Sequence, residues 1–217
     1  MHILALDAAV GRCAAAVVID GAVITQQWAD ATQGHAALLA VMARNVLAEA
    51  AIAAASLDCV GVTIGPGSFT GIRAGLALAQ GLALAARIPA VGVTVGEALA
   101  DSLPHLGERR LWAAVDSRRG RIFLERGESV IAVALDSLPA PKGKVAVAGN
   151  AATAVAARLA ARDVDTMLTD ARLPMPRHVA IVAGRRLRGE LRQLQAQPLY
   201  VDPPEARAAG LRPSPAG

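Results

Sequence analysis

The sequence predicts an α/β fold in two parts, the second truncated, and three observations carry that reading. Residues 1–100 alternate apolar runs and turn signals in the order βββαβα, closing on a further strand at Ala90–Thr94. A glycine-rich string, Gly65-Pro66-Gly67-Ser68-Phe69-Thr70-Gly71-Ile72-Arg73, joins a β-branched run to an Ala/Leu/Gly helix. Residues 101–201 carry shorter, looser strand-like and helix-like runs, and residues 202–217, rich in Pro, Ala and Gly, read as a disordered tail.

Ile3–Ala9, Val10–Ile19 and Ala22–Trp28 read as three antiparallel strands, the last two joined by Asp20-Gly21, a strong hairpin signal. Helix one is expected from Gly34 to Ala53, with Leu39, Met42, Val46 and Ala50 on one side and Arg44, Asn45 and Glu49 on another. Val60–Ile64 is the fourth strand and Ile72–Arg87 the second helix. In the second part Leu111–Val115 and Ile122–Glu125 flank the turn Ser117-Arg118-Arg119-Gly120. Val145–Ala148 is a strand, Ala151–Ala161 a helix, and Arg177–Arg192 a basic helix opening near Pro176.

A glycine-rich turn between strand and helix lets consecutive N–H groups point into one concavity, because backbone angles closed to other residues are open there. Ser68 or Thr70 then caps the orphan N–H groups of a helix whose positive end lies alongside. The string is neither a P-loop nor a dinucleotide fingerprint. Gly65, Gly67, Ser68, Thr70, Gly71 and Arg73, with Asp7, are the candidate anion-binding or nucleotide-proximal group.

Composition sets the compartment and the partners. The chain is 54% hydrophobic with 2% aromatic residues, so the core is built from Ala, Val, Leu and Ile. Cys13 and Cys59 sit in apolar runs without metal-ligand spacing and read as buried reduced thiols, which fits the cytoplasm. No signal peptide is evident at the start, and Ile72–Ile88 is short and interrupted by Arg73, Gln80 and Arg87, so no membrane span is expected. The net charge of +4 is −2 over residues 1–100 and +6 over the rest. The basic part suits RNA phosphates or an acidic partner, but no aromatic platform is present for reading RNA sequence.

GPGSFTGIRAGLALAQGLA resembles the signature segment of the TsaB (YeaZ) family. Ile3-Leu4-Ala5-Leu6-Asp7 is similar to that family's first strand, and His35, Leu38 and Leu39 stand where it opens its first helix. Asp116-Ser117-Arg118 is similar to its Asp-Ala-Arg, and Pro198-Leu199-Tyr200 to its C-terminal Pro-x-Tyr. The resemblance implies the actin-like ATPase (actin/sugar-kinase/Hsp70, RNase H-like) fold. It also implies a non-catalytic subunit that binds and activates TsaD, joins the ATPase TsaE, and serves formation of N6-threonylcarbamoyladenosine beside the anticodon of ANN-decoding tRNAs. On that reading tRNA is met through the complex, ATP or ADP lies at most at the partner interface, and a homodimer forms when TsaD is absent.

The residues fit a partner better than an enzyme. His2, His35, His105 and His178 have no spacing that would set two metal ligands on one helical face, so no metal site is expected. Asp7 takes the place of the acid that ends the first strand in the superfamily, but Ala8 and Ala9 follow it where a hydroxyl is usual. No catalytic residue is assigned. The contact surface is expected on helices one and two, at His35, Leu39, Met42 and Val46 and at Gly75, Leu78, Ala79 and Leu82. Gly75 and Gly81 would admit a close backbone there. The alternatives are a small ATP- or metal-dependent enzyme of the same fold, kinase or glycoprotease-like hydrolase, and a self-contained homodimer whose glycine nest binds an anion.

Overall fold

Alternating and continuous apolar runs form the strands of two five-stranded sheets in the computed structural model, which describes residues 1–31 and 35–201. In the first sheet β1 (His2–Asp7) pairs antiparallel with β2 (Arg12–Ile19), and β2 with β3 (Ala22–Asp30). Asp20 and Gly21 close the β2–β3 hairpin with φ of 49° and 85°, the two positive angles that a tight hairpin turn requires. After α1 (His35–Glu49) come β4 (Cys59–Gly65), α2 (Phe69–Ala86), β5 (Ala90–Thr94) and α3 (Val95–Asp101). β4 lies parallel to β1 and β5 parallel to β4, giving the order β3-β2-β1-β4-β5.

The second sheet repeats this plan. β6 (Arg110–Asp116), β7 (Ile122–Arg126) and β8 (Ser129–Val133) form an antiparallel meander. β9 (Val145–Ala148), α4 (Ala152–Ala160) and β10 (Thr166–Leu168) follow, with β9 parallel to β6 and β10 parallel to β9. The order β8-β7-β6-β9-β10 matches that of the first sheet strand for strand. Truncation is therefore in the helices: where α1 stands in the first part, the second has only a short 3-10 turn at Leu135–Ser137.

The last helix, α5 (Pro176–Leu187), does not stay with the second sheet. Val179, Ala180, Val182 and Ala183 pack against Ile3, Ala5, Ala16, Val18, Val91 and Val93, on the face of the first sheet opposite α1 and α2. The chain then straps back along the first sheet: Val91 bridges Gln195, the Gly92 N–H donates to Leu194 O at 3.0 Å, and the Leu199 N–H to Ile64 O at 2.9 Å. Residues 176–201 thus belong structurally with residues 1–100, a correction to the division at residue 101. The expected disordered tail, 202–217, lies outside the described residues.

Two helix surfaces also differ from expectation. Leu39, Met42, Val46 and Ala79 are core residues, together with Gly75 and, at the start of α1, His35. They cannot form an intermolecular contact, because the chain's own sheet already covers them; Leu78 and Leu82 are half-buried against the same core. No backbone of the chain itself approaches Gly75 or Gly81 closely. A side chain at Gly75 would meet Val62 and Leu39 at ordinary distances, and Gly81 faces open space.

Candidate functional site

The C-terminal ends of β1 and β4 bring Asp7 under the glycine loop. Asp7 is fully buried; its Oδ1 accepts a hydrogen bond from Thr63 Oγ1 at 2.6 Å and from the Ala9 N–H at 3.1 Å, while Oδ2 has no partner. Burial pushes its pKa up to about 6, the bonds from Thr63 and Ala9 and the charge of Arg12 opposing that rise. Thr63, two residues before Gly65, escaped the sequence reading because its partner is 56 positions away.

Ser68 caps α2 as expected, its Oγ accepting from the Gly71 N–H at 3.2 Å, and the helix begins at Phe69, earlier than Ile72. Thr70, expected as an alternative cap, stands exposed in the first turn. The loop is not an open nest. The Ser68 N–H donates to Ala9 O at 2.7 Å, and side chains at Gly67 and Gly71 would stand 2.2 and 2.0 Å from the carbonyl oxygens of Ala9 and Ala8. These glycines are required because the β1–β2 turn presses its own carbonyls into the loop. Carbonyl oxygens repel a phosphate, and Ala8 and Ala9 bring no hydroxyl, so these residues do not fit a nucleotide's phosphates.

The second sheet offers a counterpart. Asp116 ends β6 as Asp7 ends β1; the Asp116 N–H donates to Asn150 Oδ1 at 2.9 Å, and Asp116 Oδ1 accepts from the Arg118 N–H at 2.8 Å. Arg118, with φ of 58°, extends its guanidinium to Gly11, where an added side chain would lie 3.4 Å from Nη2. The β6–β7 turn therefore reaches the β1–β2 turn through Arg118.

The histidines do not converge. His2 lies in β1 with Nδ1 3.1 Å from Ser56 O, and buried His35 opens α1 with Nδ1 unpartnered. His105 is exposed in the segment after α3. His178, expected at the surface, is buried in α5 with Nδ1 2.7 Å from Asp101 Oδ2. Among the described residues no three His, Cys, Asp or Glu side chains gather as a metal site. Cys13 and Cys59 are buried free thiols, pushed up to about 11 and 12 chiefly by burial. Two surface hollows of about 400 and 370 Å³, beside β10 and between β2 and α5, include neither Asp7 nor the glycine loop.

The outer sides of α1 and α2 mix apolar with polar residues. α2 is the one helix among the described residues long and apolar enough, by length and composition, to cross a membrane, and it rests its inner face on β4. Its outer side exposes Phe69, Arg73, Ala77, Gln80, Gly81 and Leu84, and neighbouring α1 exposes Ala37, Ala40 and Val41. Leu84 is 82% exposed and Val41 45%.

The comparisons bear on the fold and the family. The family model for "TsaD: tRNA N6-adenosine threonylcarbamoyltransferase" matches residues 27–180. No curated protein matches the chain. Among solved structures it is similar to an uncharacterized protein with similarity to peptidase YeaZ from Pseudomonas aeruginosa, at 24% identity over 93% of this chain and 99% of that one, with a TM-score of 0.74. YeaZ from Pseudomonas aeruginosa gives 24% identity, coverage of 92% and 99%, and a TM-score of 0.73. The (R)-2-hydroxyglutaryl-CoA dehydratase component A of Acidaminococcus fermentans shares 9% identity over 86% of this chain and 98% of that one, with a TM-score of 0.52. The YeaZ resemblance and the actin-like ATPase fold read from the sequence are thus borne out. Since the family model spans most of its length, the chain belongs to the TsaD family, that of tRNA N6-adenosine threonylcarbamoyltransferase.

Proposed function

We propose that this chain is the accessory, non-catalytic member of a threonylcarbamoyl-transferring complex. It binds and activates the catalytic TsaD subunit, with the ATPase TsaE as a further partner, in forming N6-threonylcarbamoyladenosine beside the anticodon of ANN-decoding tRNAs. Membership of the TsaD family and the YeaZ-like fold support association with that reaction. The observation that carries the partner role is the exposure of apolar side chains on the outer sides of neighbouring α1 and α2, Val41 and Leu84 above all. Apolar side chains left exposed on neighbouring helices mark an interaction surface. The exposed outer residues of these helices, and not the buried set at Leu39, Met42, Val46, Gly75 and Ala79, form the contact. In the absence of TsaD the same face pairs two copies of the chain, and tRNA is met through the complex.

One observation favours a second reading: the family is named for a transferase, so an enzyme of the same fold is the competitor. The loop carbonyls at Ala8 and Ala9 argue against it. Light scattering of the purified chain, alone and mixed with TsaD of the same organism, separates the two. A stable mixed complex with no ATP turnover by the isolated chain is expected. ATP turnover by the chain alone that vanishes in Asp7→Asn overturns the proposal.

A further inference from the structure

Phe69 and Arg73, one turn apart at the N-terminal end of α2, meet Tyr200 from the far end of the described chain. The guanidinium carbon of Arg73 lies 3.7 Å over the centroid of the Phe69 ring, and Arg73 Nη2 donates to Tyr200 Oη at 3.0 Å. Phe69 and Tyr200 are 54% and 55% exposed, so the cluster is not part of the core. In a chain with two Phe, two Trp and one Tyr, two of the five aromatic residues are spent on this exposed spot.

The spot is held in place from behind. Tyr200 ends the strap that returns from α5. Gln80 Nε2 donates to Ala196 O at 2.7 Å, and the Leu199 N–H to Ile64 O at 2.9 Å, which fixes the last residues before Tyr200 against α2 and β4. Anchoring exposed aromatic and arginine side chains in advance removes the ordering cost that a partner would otherwise meet. Tyr and Arg are also the residue types that dominate interface hot spots.

Charge decides what the spot receives. Arg73 brings the positive charge of the cluster and has no carboxylate partner among the described residues; its one hydrogen bond there is to a neutral phenol. A guanidinium stacked on a ring keeps in-plane N–H donors for a planar oxyanion, which a carboxylate matches in bidentate fashion. The cluster also continues the exposed stripe of α2, since Phe69, Arg73, Ala77 and Leu84 follow one another at helical spacing.

We propose that Phe69, Arg73 and Tyr200 form a preorganised anchor that grips an Asp or Glu carboxylate of the protein partner docked on α1 and α2. This rests on the partner reading above and names the chemistry at one end of that interface. The apolar part of the face supplies area, and the anchor fixes the partner's register along α2.

The test is calorimetric titration of purified TsaD into the full chain and its variants at two salt concentrations, with melting temperature as the folding control. Arg73→Ala is expected to weaken binding about thirtyfold, as a hot-spot residue does. Arg73→Lys recovers little of it, since an ammonium gives neither the planar stack nor the fork. Tyr200→Ala and Phe69→Ala each weaken binding about tenfold or more, and Arg188→Ala just past the end of α5, which removes an equal charge elsewhere, changes nothing. The unaltered chain loses more affinity on adding salt than Arg73→Ala does. Tight binding by Arg73→Ala, or full rescue by Lys, overturns the anchor while leaving the partner role intact. Failure of the unaltered chain to bind TsaD overturns both.

Discussion

Glu125, on the second sheet, accepts a hydrogen bond from the Gly96 N–H at 2.8 Å, and so ties β7 to the start of α3 in the first part of the chain. Thr94 Oγ1 donates to its other oxygen, and neighbouring Glu97 is held by Arg186 of α5. The carboxyl group is seated where a side chain at Gly96 would have to lie, 2.3 Å from Glu125 Cδ. Gly96→Ala is therefore expected to cost about 1–3 kcal/mol through overpacking at the junction of the two parts. Urea unfolding at pH 7 measures it, and a cost near zero would show that the junction yields.

The same carboxyl group gives the chain a pH dependence. Burial pushes Glu125 up to about 7; the bonds from Thr94 and Gly96 oppose this and the charge of Glu97 adds to it. A folded pKa above the unfolded 4.5 means that its stabilisation is complete below about pH 4.5 and is lost as pH rises through about 7. The loss amounts to a few kcal/mol at most. Glu125→Gln should flatten the fall in stability between pH 5 and 8, read from denaturant midpoints across that range.

Asp7 follows the same sign, with its change between about pH 4 and 6. Thr63 stabilises the charged form by donating to it, so Thr63→Val should cost about 1–2 kcal/mol at pH 8 and distinctly less at pH 5. Equal costs at both pH values would mean that the hydroxyl acts on packing alone.

The glycines of the loop and of α2 should separate cleanly. Gly71→Ala forces a methyl to 2.0 Å from Ala8 O and is expected to destabilise the fold severely. Gly81→Ala, in open space on a helix, should stabilise it by about 0.5–1 kcal/mol through helix propensity. Thermal melts of the two variants should move in opposite directions.

Charge placed on the outer helix face should act on assembly and not on folding. Leu84→Glu and Val41→Glu are expected to leave the melting temperature within about 2 °C of the parent and to abolish mixed-complex formation in light scattering. Ala79→Glu buries a charge against the chain's own sheet and should unfold it, so its effect on assembly carries no information about the interface.

Local pattern alone was enough for the first five strands, the hairpin at Asp20-Gly21, the Ser68 cap and the strand–glycine–helix unit, because period, turn chemistry and capping act between near neighbours. The glycine string also carried the family resemblance. Tertiary structure decided what depends on residues distant in sequence. β8, β10 and α3 span only five, three and seven residues and give no lasting period, so the full second sheet emerged only from strand pairing. Helical spacing placed Leu39, Met42, Val46 and Ala79 on an apolar side, but burial against the chain's own sheet made that side core and turned Val41 and Leu84 outward. Asp7 was legible as a residue of interest; its partner Thr63, the carbonyls that fill the glycine loop, and the meeting of Tyr200 with Arg73 were not. Those contacts join positions 56 to 127 residues apart, and no local preference encodes a neighbour that only the completed sheets bring near.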